Sequence, residues 1–242
     1  MGVQVPPCFP AVVEGKSGAL SRSMVDIFHR QFLVHGGDLI LPLKPDYDRQ
    51  RGREHSVQLV RHALAPLRLV GRYYPKLVDQ LVLDAILGNG DRHQDNWAFV
   101  STYNLRRKVF KILKLCPAFD NGSSLCREHG EDKVRDMLLS RRALDRYIGA
   151  GRAHIRWQTV ADGLVQLSHE DLLRRHIETW PEFERRIRPL VQFPARLMER
   201  AIRRVAELSR DFDDELQISK GREDFLVELV ERRRTRILER CL

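Results

Sequence analysis

The 242-residue chain lacks any run of about 18 apolar residues, so no membrane-spanning helix is expected. Its first ten residues, Met1 to Pro10, carry neither a basic n-region nor a long apolar stretch, which argues against a secretory signal. The Met1-Gly2 opening has Pro6 where N-myristoylation needs Ser or Thr. Cysteine is scarce. Cys8, Cys116, Cys126 and Cys241 form no Cys-x-x-Cys pair, and their spacings suit neither a zinc site nor a disulfide framework. Four reduced thiols in a cytoplasmic protein are the expectation. His29, His35, His55, His62 and His93 show no His-Glu-x-x-His spacing, so a zinc centre is not expected from them either. There is no internal repeat, no low-complexity linker and no Gly-x-Gly-x-x-Gly. Gly15-Lys16-Ser17 has the look of a P-loop tail, but Pro10 stands where the earlier glycine belongs.

What is present is an ordinary globular composition. Hydrophobic residues make up 43% and charged residues 31%, enough apolar material to bury a core without disulfides or metal staples. The 42 Lys+Arg exceed the 33 Asp+Glu by nine. The excess is mostly arginine in the second half, interleaved with acidic residues, a pattern of solvated helix faces laced with ion pairs. Nucleic acid is therefore not expected as the main ligand, and no nucleic-acid motif supports it.

Along the chain, residues 8–14 read as a strand, followed by a turn at Gly15-Lys16-Ser17-Gly18. Helices are expected at Met24–Leu33 and at about Ser56–Leu64, with a loop over Pro42–Gly52 between them. Tyr74–Leu87 places Leu77, Val78, Leu81, Val82, Ala85 and Ile86 at helical spacing, with Pro75 in its first turn and a stop at Gly88-Asn89-Gly90. Trp97–Ser101 and Val109–Leu115 read as two strands joined by the turn Asn104–Lys108, although the second does not alternate cleanly. From Gly130 onward everything reads as helix: Asp132–Tyr147, a helix capped by Ser168 with Asp171 three residues on and ending before Pro181, Ala195–Leu208, and Arg222–Leu238. The fold class expected is mostly helical α+β with one β-hairpin near the middle.

The chemistry concentrates in Gly88-Asn89-Gly90-Asp91-Arg92-His93-Gln94-Asp95-Asn96-Trp97, between a helix stop and a strand. One strand pair later comes Pro117-Ala118-Phe119-Asp120-Asn121-Gly122. Phosphoryl transfer from ATP needs a carboxylate beside the attacking hydroxyl and hard oxygen ligands for Mg²⁺. An Asp, an Asn five residues on, a β-hairpin and a second Asp is the order found in the protein-kinase C-lobe. Asp91, Asn96 and Asp120 fill those places. Taken singly, each is also an ordinary loop former.

The segments Leu87–Trp97 and Cys116–Leu125 resemble those of the HipA-like serine/threonine kinase family, bacterial kinases known from toxin–antitoxin modules. Gly18–Met24 and Leu33–Asp38 resemble the part of such kinases between the nucleotide hinge and the C-lobe. The resemblance implies a protein-kinase-like C-terminal lobe over 21–242, with catalytic and metal loops in 88–125 and a helical bundle in 130–242. Residues 1–20 would be a residual hinge strand and turn. By the same resemblance Asp91 is the catalytic base and His93 supports its loop. Asn96 and Asp120 hold Mg²⁺, and the hinge residues Val12, Val13 and Glu14 meet the adenine of ATP. The substrate would be a protein Ser or Thr hydroxyl.

The pattern departs from a complete kinase in its first half. No Gly-rich loop is present, and Lys16 and Lys44 are not placed like a phosphate-binding lysine. The chain is thus expected to begin at the hinge. A separate chain or antitoxin-like partner supplying the nucleotide-binding lobe, a shortened reading frame, and a binding module without catalysis all fit. Phosphoinositide kinases share the Asp-Arg-His-x-x-Asn loop and are a further alternative, with Pro-Ala-Phe-Asp-Asn-Gly favouring the HipA-like branch.

Overall fold

The computed structural model describes residues 2–211 and 217–242. Two strands, β1 (Cys8–Val13) and β2 (Lys16–Ser21), form an antiparallel hairpin. Its two-residue turn is Glu14-Gly15, both at positive φ, the backbone that a tight hairpin requires. The turn is therefore shorter than expected, and Lys16 and Gly18 belong to the second strand.

The expected helix Met24–Leu33 does not form. The Asp26 carboxylate accepts the backbone N–H groups of Phe28 (2.9 Å) and His29 (3.3 Å), and Arg30 adopts φ 53°. This local bonding competes with a helix, and the chain turns instead into strand β3 (Gln31–His35). β3 pairs antiparallel with β4 (Ala98–Asn104), which pairs antiparallel with β5 (Val109–Leu115). The expected hairpin thus gains a third strand. The register shifts between Val100, opposite Lys114, and Ser101, opposite Ile112, leaving Leu113 as an extra residue. That bulge is why β5 does not alternate cleanly.

Helix α1 (Gly36–Ile40) follows β3, and α2 (Val57–Leu64) is capped by Ser56, whose Oγ accepts the Leu59 N–H at 3.2 Å. The long helix α3 (Val70–Leu87) starts a turn earlier than expected, so Pro75 lies inside it. α3 is the axis of the core. Tyr73, Tyr74, Val78, Val82 and Ile86 are nearly inaccessible. Tyr73 meets Phe99 of β4 edge-on, with ring centroids 5.0 Å apart.

Among the described residues the second half is helical with one exception. The expected helix Asp132–Tyr147 is two, α4 (Glu131–Leu139) and α5 (Arg141–Ala150), broken at Ser140, whose side chain caps the second. A short hairpin, β6 (Trp157–Thr159) and β7 (Gly163–Val165), interrupts the helices, turning at Asp162 and at Gly163 with φ 69°. α6 (His169–Thr179) begins as expected, with Ser168 Oγ accepting the Asp171 N–H at 3.1 Å. A 3-10 turn (Pro181–Phe183) leads into α7 (Glu184–Val191). α8 (Ala195–Ser209) and α9 (Lys220–Cys241) complete the described chain. No described helix is long and apolar enough to cross a membrane.

Much of the arginine excess is engaged in ion pairs among these helices, including Arg186–Asp79, Arg203–Glu223, Arg232–Asp145 and Arg236–Glu170. This is the laced helical surface that the charge pattern implied.

Candidate active site

The Asp91 loop is anchored at the end of α3. Gly88 closes that helix at φ 71°, and a Cβ there would collide with the Arg233 guanidinium. One turn earlier, Asp84 breaks the apolar run Val82-Leu83-Asp84-Ala85-Ile86, yet it is 2% exposed. Its carboxylate accepts Arg92 Nε (3.0 Å), Arg92 NH2 (2.7 Å) and Asn89 Nδ2 (3.0 Å). Burial raises the Asp84 pKa, opposed by the charge and hydrogen bonds of Arg92 and by Asn89.

Arg92 is as buried as its partner, and its remaining donors reach outward. NH1 donates to the carbonyls of Asn96 (2.8 Å) and Phe119 (2.6 Å), and NH2 donates to Asn121 Oδ1 at 2.6 Å. One guanidinium therefore fixes the Asp91–Asn96 loop against the Phe119–Asn121 segment. Asn96 Nδ2 donates to the Asp91 carbonyl at 2.7 Å, and the Asn96 N–H reaches the His93 carbonyl at 3.0 Å. His93 Nδ1 accepts the Asp95 N–H at 3.1 Å, a contact inside the loop.

The other wall comes from the loop before α2. Arg49 Nε lies 3.0 Å from both Asp95 carboxylate oxygens and its NH2 2.6 Å from Oδ1, while NH1 reaches Asp38 at 2.7 Å. Burial pushes the Asp95 pKa up, but Arg49 overcomes this and leaves it below the ordinary value. Tyr47 Oη donates to Gln94 Oε1 (2.9 Å), and Gln94 Nε2 donates to the Arg49 carbonyl (2.7 Å). Between the walls lies a cleft of about 510 Å³, lined by Arg49, Arg51, Asp91, His93, Asp95 and His154 among others.

Asp91 is half-buried at this cleft, and Asp120 is exposed at φ 52°. Neither carboxylate takes part in a hydrogen bond or ion pair with the described residues. Asp84 and Asp95, in the same neighbourhood, are both tightly paired. Backbone strain of the Asp120 kind, of order 1–3 kcal/mol, concentrates at functional sites. Asn96 spends its amide N–H on Asp91, which leaves Oδ1 as the atom able to take a cation. Asn96 Oδ1 and the Asp120 carboxylate are hard oxygen donors of the type Mg²⁺ accepts.

Val12, Val13 and Glu14 sit at the tip of the β1–β2 hairpin, with Val13 68% exposed. No hydrogen bond or ion pair joins them to Asp91, Asn96 or Asp120 among the described residues. The nearest tie between the N-terminal segment and the site is the Ala118 N–H donating to the Gln4 carbonyl at 2.8 Å. Sequence reading missed Asp84, Arg92, Arg49 and Gln94 as parts of the site. The available signal was the single charge inside the buried run of α3.

No protein-family model matches the chain, and no curated protein matches it. Among solved structures it is similar to the crystal structure of the Helicobacter pylori proinflammatory kinase CtkA. The TM-score is 0.71 at 19% identity, and the match covers 99% of this chain and 77% of that one. At that identity the likeness is one of fold: the chain has a kinase-like fold.

Proposed function

We propose that this chain is a kinase-like phosphotransferase of the HipA-like branch, passing the γ-phosphoryl group of ATP to a Ser or Thr hydroxyl of a protein. The observation that carries this reading is the pair of unpaired carboxylates, Asp91 and Asp120, whose loops are cross-tied by the buried Arg92 through the Asn96 and Phe119 carbonyls and the Asn121 side chain. Asp91 is half-buried and unpaired beside Asp84 and Asp95, which arginines hold. Asp91 orients the hydroxyl and takes its proton. Asn96 Oδ1 and the Asp120 carboxylate hold Mg²⁺, which supplies neutralisation of phosphate charge. His93 keeps the loop in shape through Asp95. Val12, Val13 and Glu14 contribute the hinge that meets the adenine. In this reading the protein is cytoplasmic.

The exposed Phe9, Val13 and Leu20 of the β1–β2 hairpin favour a second reading. In it the chain is a pseudokinase-like module whose hairpin docks another chain, such as a separate nucleotide lobe or an antitoxin-like partner. One experiment separates the two. The full chain is incubated with Mg²⁺ and radiolabelled ATP, with candidate protein acceptors and with phosphoinositide vesicles, beside Asp91→Asn and Asp120→Asn. Transfer to protein that both substitutions abolish supports the first reading, and transfer to vesicles assigns the phosphoinositide class. If wild type neither transfers phosphate nor changes its melting curve with Mg·ATP, the catalytic reading fails for this chain.

A further inference from the structure

Six residues beyond Asp120 the chain makes a tight turn that the kinase reading does not use. Leu125 and Cys126 both adopt positive φ, 57° and 60°, and the His129 N–H returns to the Cys126 carbonyl at 3.3 Å. The turn gathers three different ligand types. One donor atom each of Cys126, Glu128 and His129 lies within 4.8 Å of the others. Cys126 is 1% exposed, His129 is half-buried and Glu128 faces solvent.

Two of the surrounding helices bond this turn. From α9, Arg222 donates to the carbonyls of His129 (2.6 Å) and Cys126 (3.4 Å), fixing the backbone of two of the three. From α5, Tyr147 Oη donates to Glu128 Oε1 at 2.8 Å, and its ring lies 5.6 Å from that of His129. The same hydroxyl is hydrogen-bonded with the Cys126 thiol, so one group ties two of the three ligands, and hydrogen bonds of this kind are what metal sites use to orient their ligands.

We propose that Cys126, Glu128 and His129 form a binding site for Zn²⁺ or a similar borderline divalent cation, with solvent as the fourth ligand. A mixed sulfur, nitrogen and oxygen set suits such ions and not Mg²⁺, which takes oxygen ligands. Ligand bonds of about 2.0–2.3 Å in a tetrahedron put donor atoms roughly 3.5 Å apart, so from separations of up to 4.8 Å the turn needs to close by up to about 1.3 Å. On binding, the Cys126 thiol gives its proton to solvent and the sulfur bonds as thiolate. Two guanidinium groups oppose a cation here: Arg233, 5.6 Å from the Tyr147 ring centroid, and Arg222, on the Cys126 and His129 carbonyls. Arg222 is neutralised by its ion pair with Glu131 at 2.6 Å, so the two anionic ligands face the charge of Arg233 alone. The site is independent of the phosphotransfer reading.

The test uses the full chain, stripped with chelator and titrated with Co²⁺ as a spectroscopic probe. The expected result is one equivalent bound, with a thiolate-to-metal charge-transfer band and tetrahedral ligand-field absorption. Cys126→Ser abolishes the charge-transfer band, and His129→Gln abolishes stoichiometric binding. Tyr147→Phe weakens binding about tenfold. Cys8→Ser, at an exposed thiol elsewhere, leaves it unchanged. Circular dichroism of His129→Gln, whose side chain is not in the core, guards against loss of fold. Absence of a charge-transfer band at saturating Co²⁺, or a band that survives both Cys126→Ser and His129→Gln, overturns the proposal.

Discussion

Arg92 and Asp84 form a buried ion pair, 2.7 Å between NH2 and Oδ1, and the same guanidinium bonds the two segments that carry Asp91 and Asp120. Removing one member leaves a charge stranded in the interior, a loss of about 3–5 kcal/mol. Arg92→Met and Asp84→Leu are each expected to lower unfolding stability by that order in urea titrations. The double variant is expected to recover a large part of it, since the stranded charge is then gone. A double-mutant cycle with no coupling between the positions would contradict the pairing.

Arg49 and Asp95 pair at the rim, both partly exposed, so their contribution to stability is small, about 1 kcal/mol or less. Their effect on the cleft is larger. Arg49 binds both Asp95 oxygens and Asp38 together, a fork geometry that an ammonium group does not reproduce. Arg49→Lys is expected to leave the melting temperature within a few degrees of wild type. If the phosphotransfer reading holds, it lowers kcat more than it raises KM, because the Asp91 loop loses its fixed position. Steady-state kinetics beside thermal melts give both readouts.

Acid sensitivity is expected from buried neutral histidines. His176 donates from Nδ1 to the Leu172 carbonyl (2.8 Å) and accepts the Tyr74 hydroxyl at Nε2 (2.9 Å), and burial pushes its pKa down to about 4. In the unfolded chain the group titrates near its ordinary value of 6.5, so between pH 6.5 and 4 the unfolded state binds more protons. Stability is therefore full above about pH 6.5 and falls as pH drops towards 4, by about 3 kcal/mol for this residue. His55, pushed down to about 3 by burial, adds to the same slope. Urea midpoints from pH 7 to pH 4 should show the decline, and His176→Gln should flatten it. An unchanged slope in that variant would assign the acid sensitivity to other groups.

Gly36 tests the junction between β3 and the catalytic loop. Its N–H donates to the Trp97 carbonyl (3.0 Å), and a Cβ at this position would lie inside the Trp97 indole. Gly36→Ala is expected to cost about 1–3 kcal/mol through overpacking. Gly71→Ala, where nothing stands within 4 Å of the added carbon, is the helix-surface control and should be neutral or slightly stabilising.

These relationships show where the sequence was readable. α3, its glycine stop and the Asp91–Asn96–Asp120 order come from local signals: helical periodicity, a positive-φ glycine and loop-forming residues at fixed spacing. β3 was not legible, because Asp26 overrode an apparently helical stretch through its own side-chain bonds. The β6–β7 hairpin carried a signal, Asp162-Gly163 between apolar residues, that is short and easily lost among helices. Arg92 was the hardest to see. Its importance lies in bonds to residues up to 29 positions away, and nothing local distinguishes it from any other loop arginine.

The extra residue at Leu113 makes β5 a store of slack as well as a strand. Lys114 and Leu115 pair with Val100 and Phe99 on one side of this residue and Ile112 pairs with Ser101 on the other, so deleting Leu113 would regularise the ladder with β4 and leave Cys116 to Phe119 where they are. Beyond Leu115 the chain has no such spare residue. A deletion between Cys116 and Phe119 would draw the chain back by roughly 3.3 Å, one strand step, and Phe119 would no longer present its carbonyl to Arg92. Insertions and deletions are consequently tolerable at the solvent-facing turn, Leu105–Lys108, and not between Cys116 and Asp120. The bulge absorbs slack in the strand before it reaches the site.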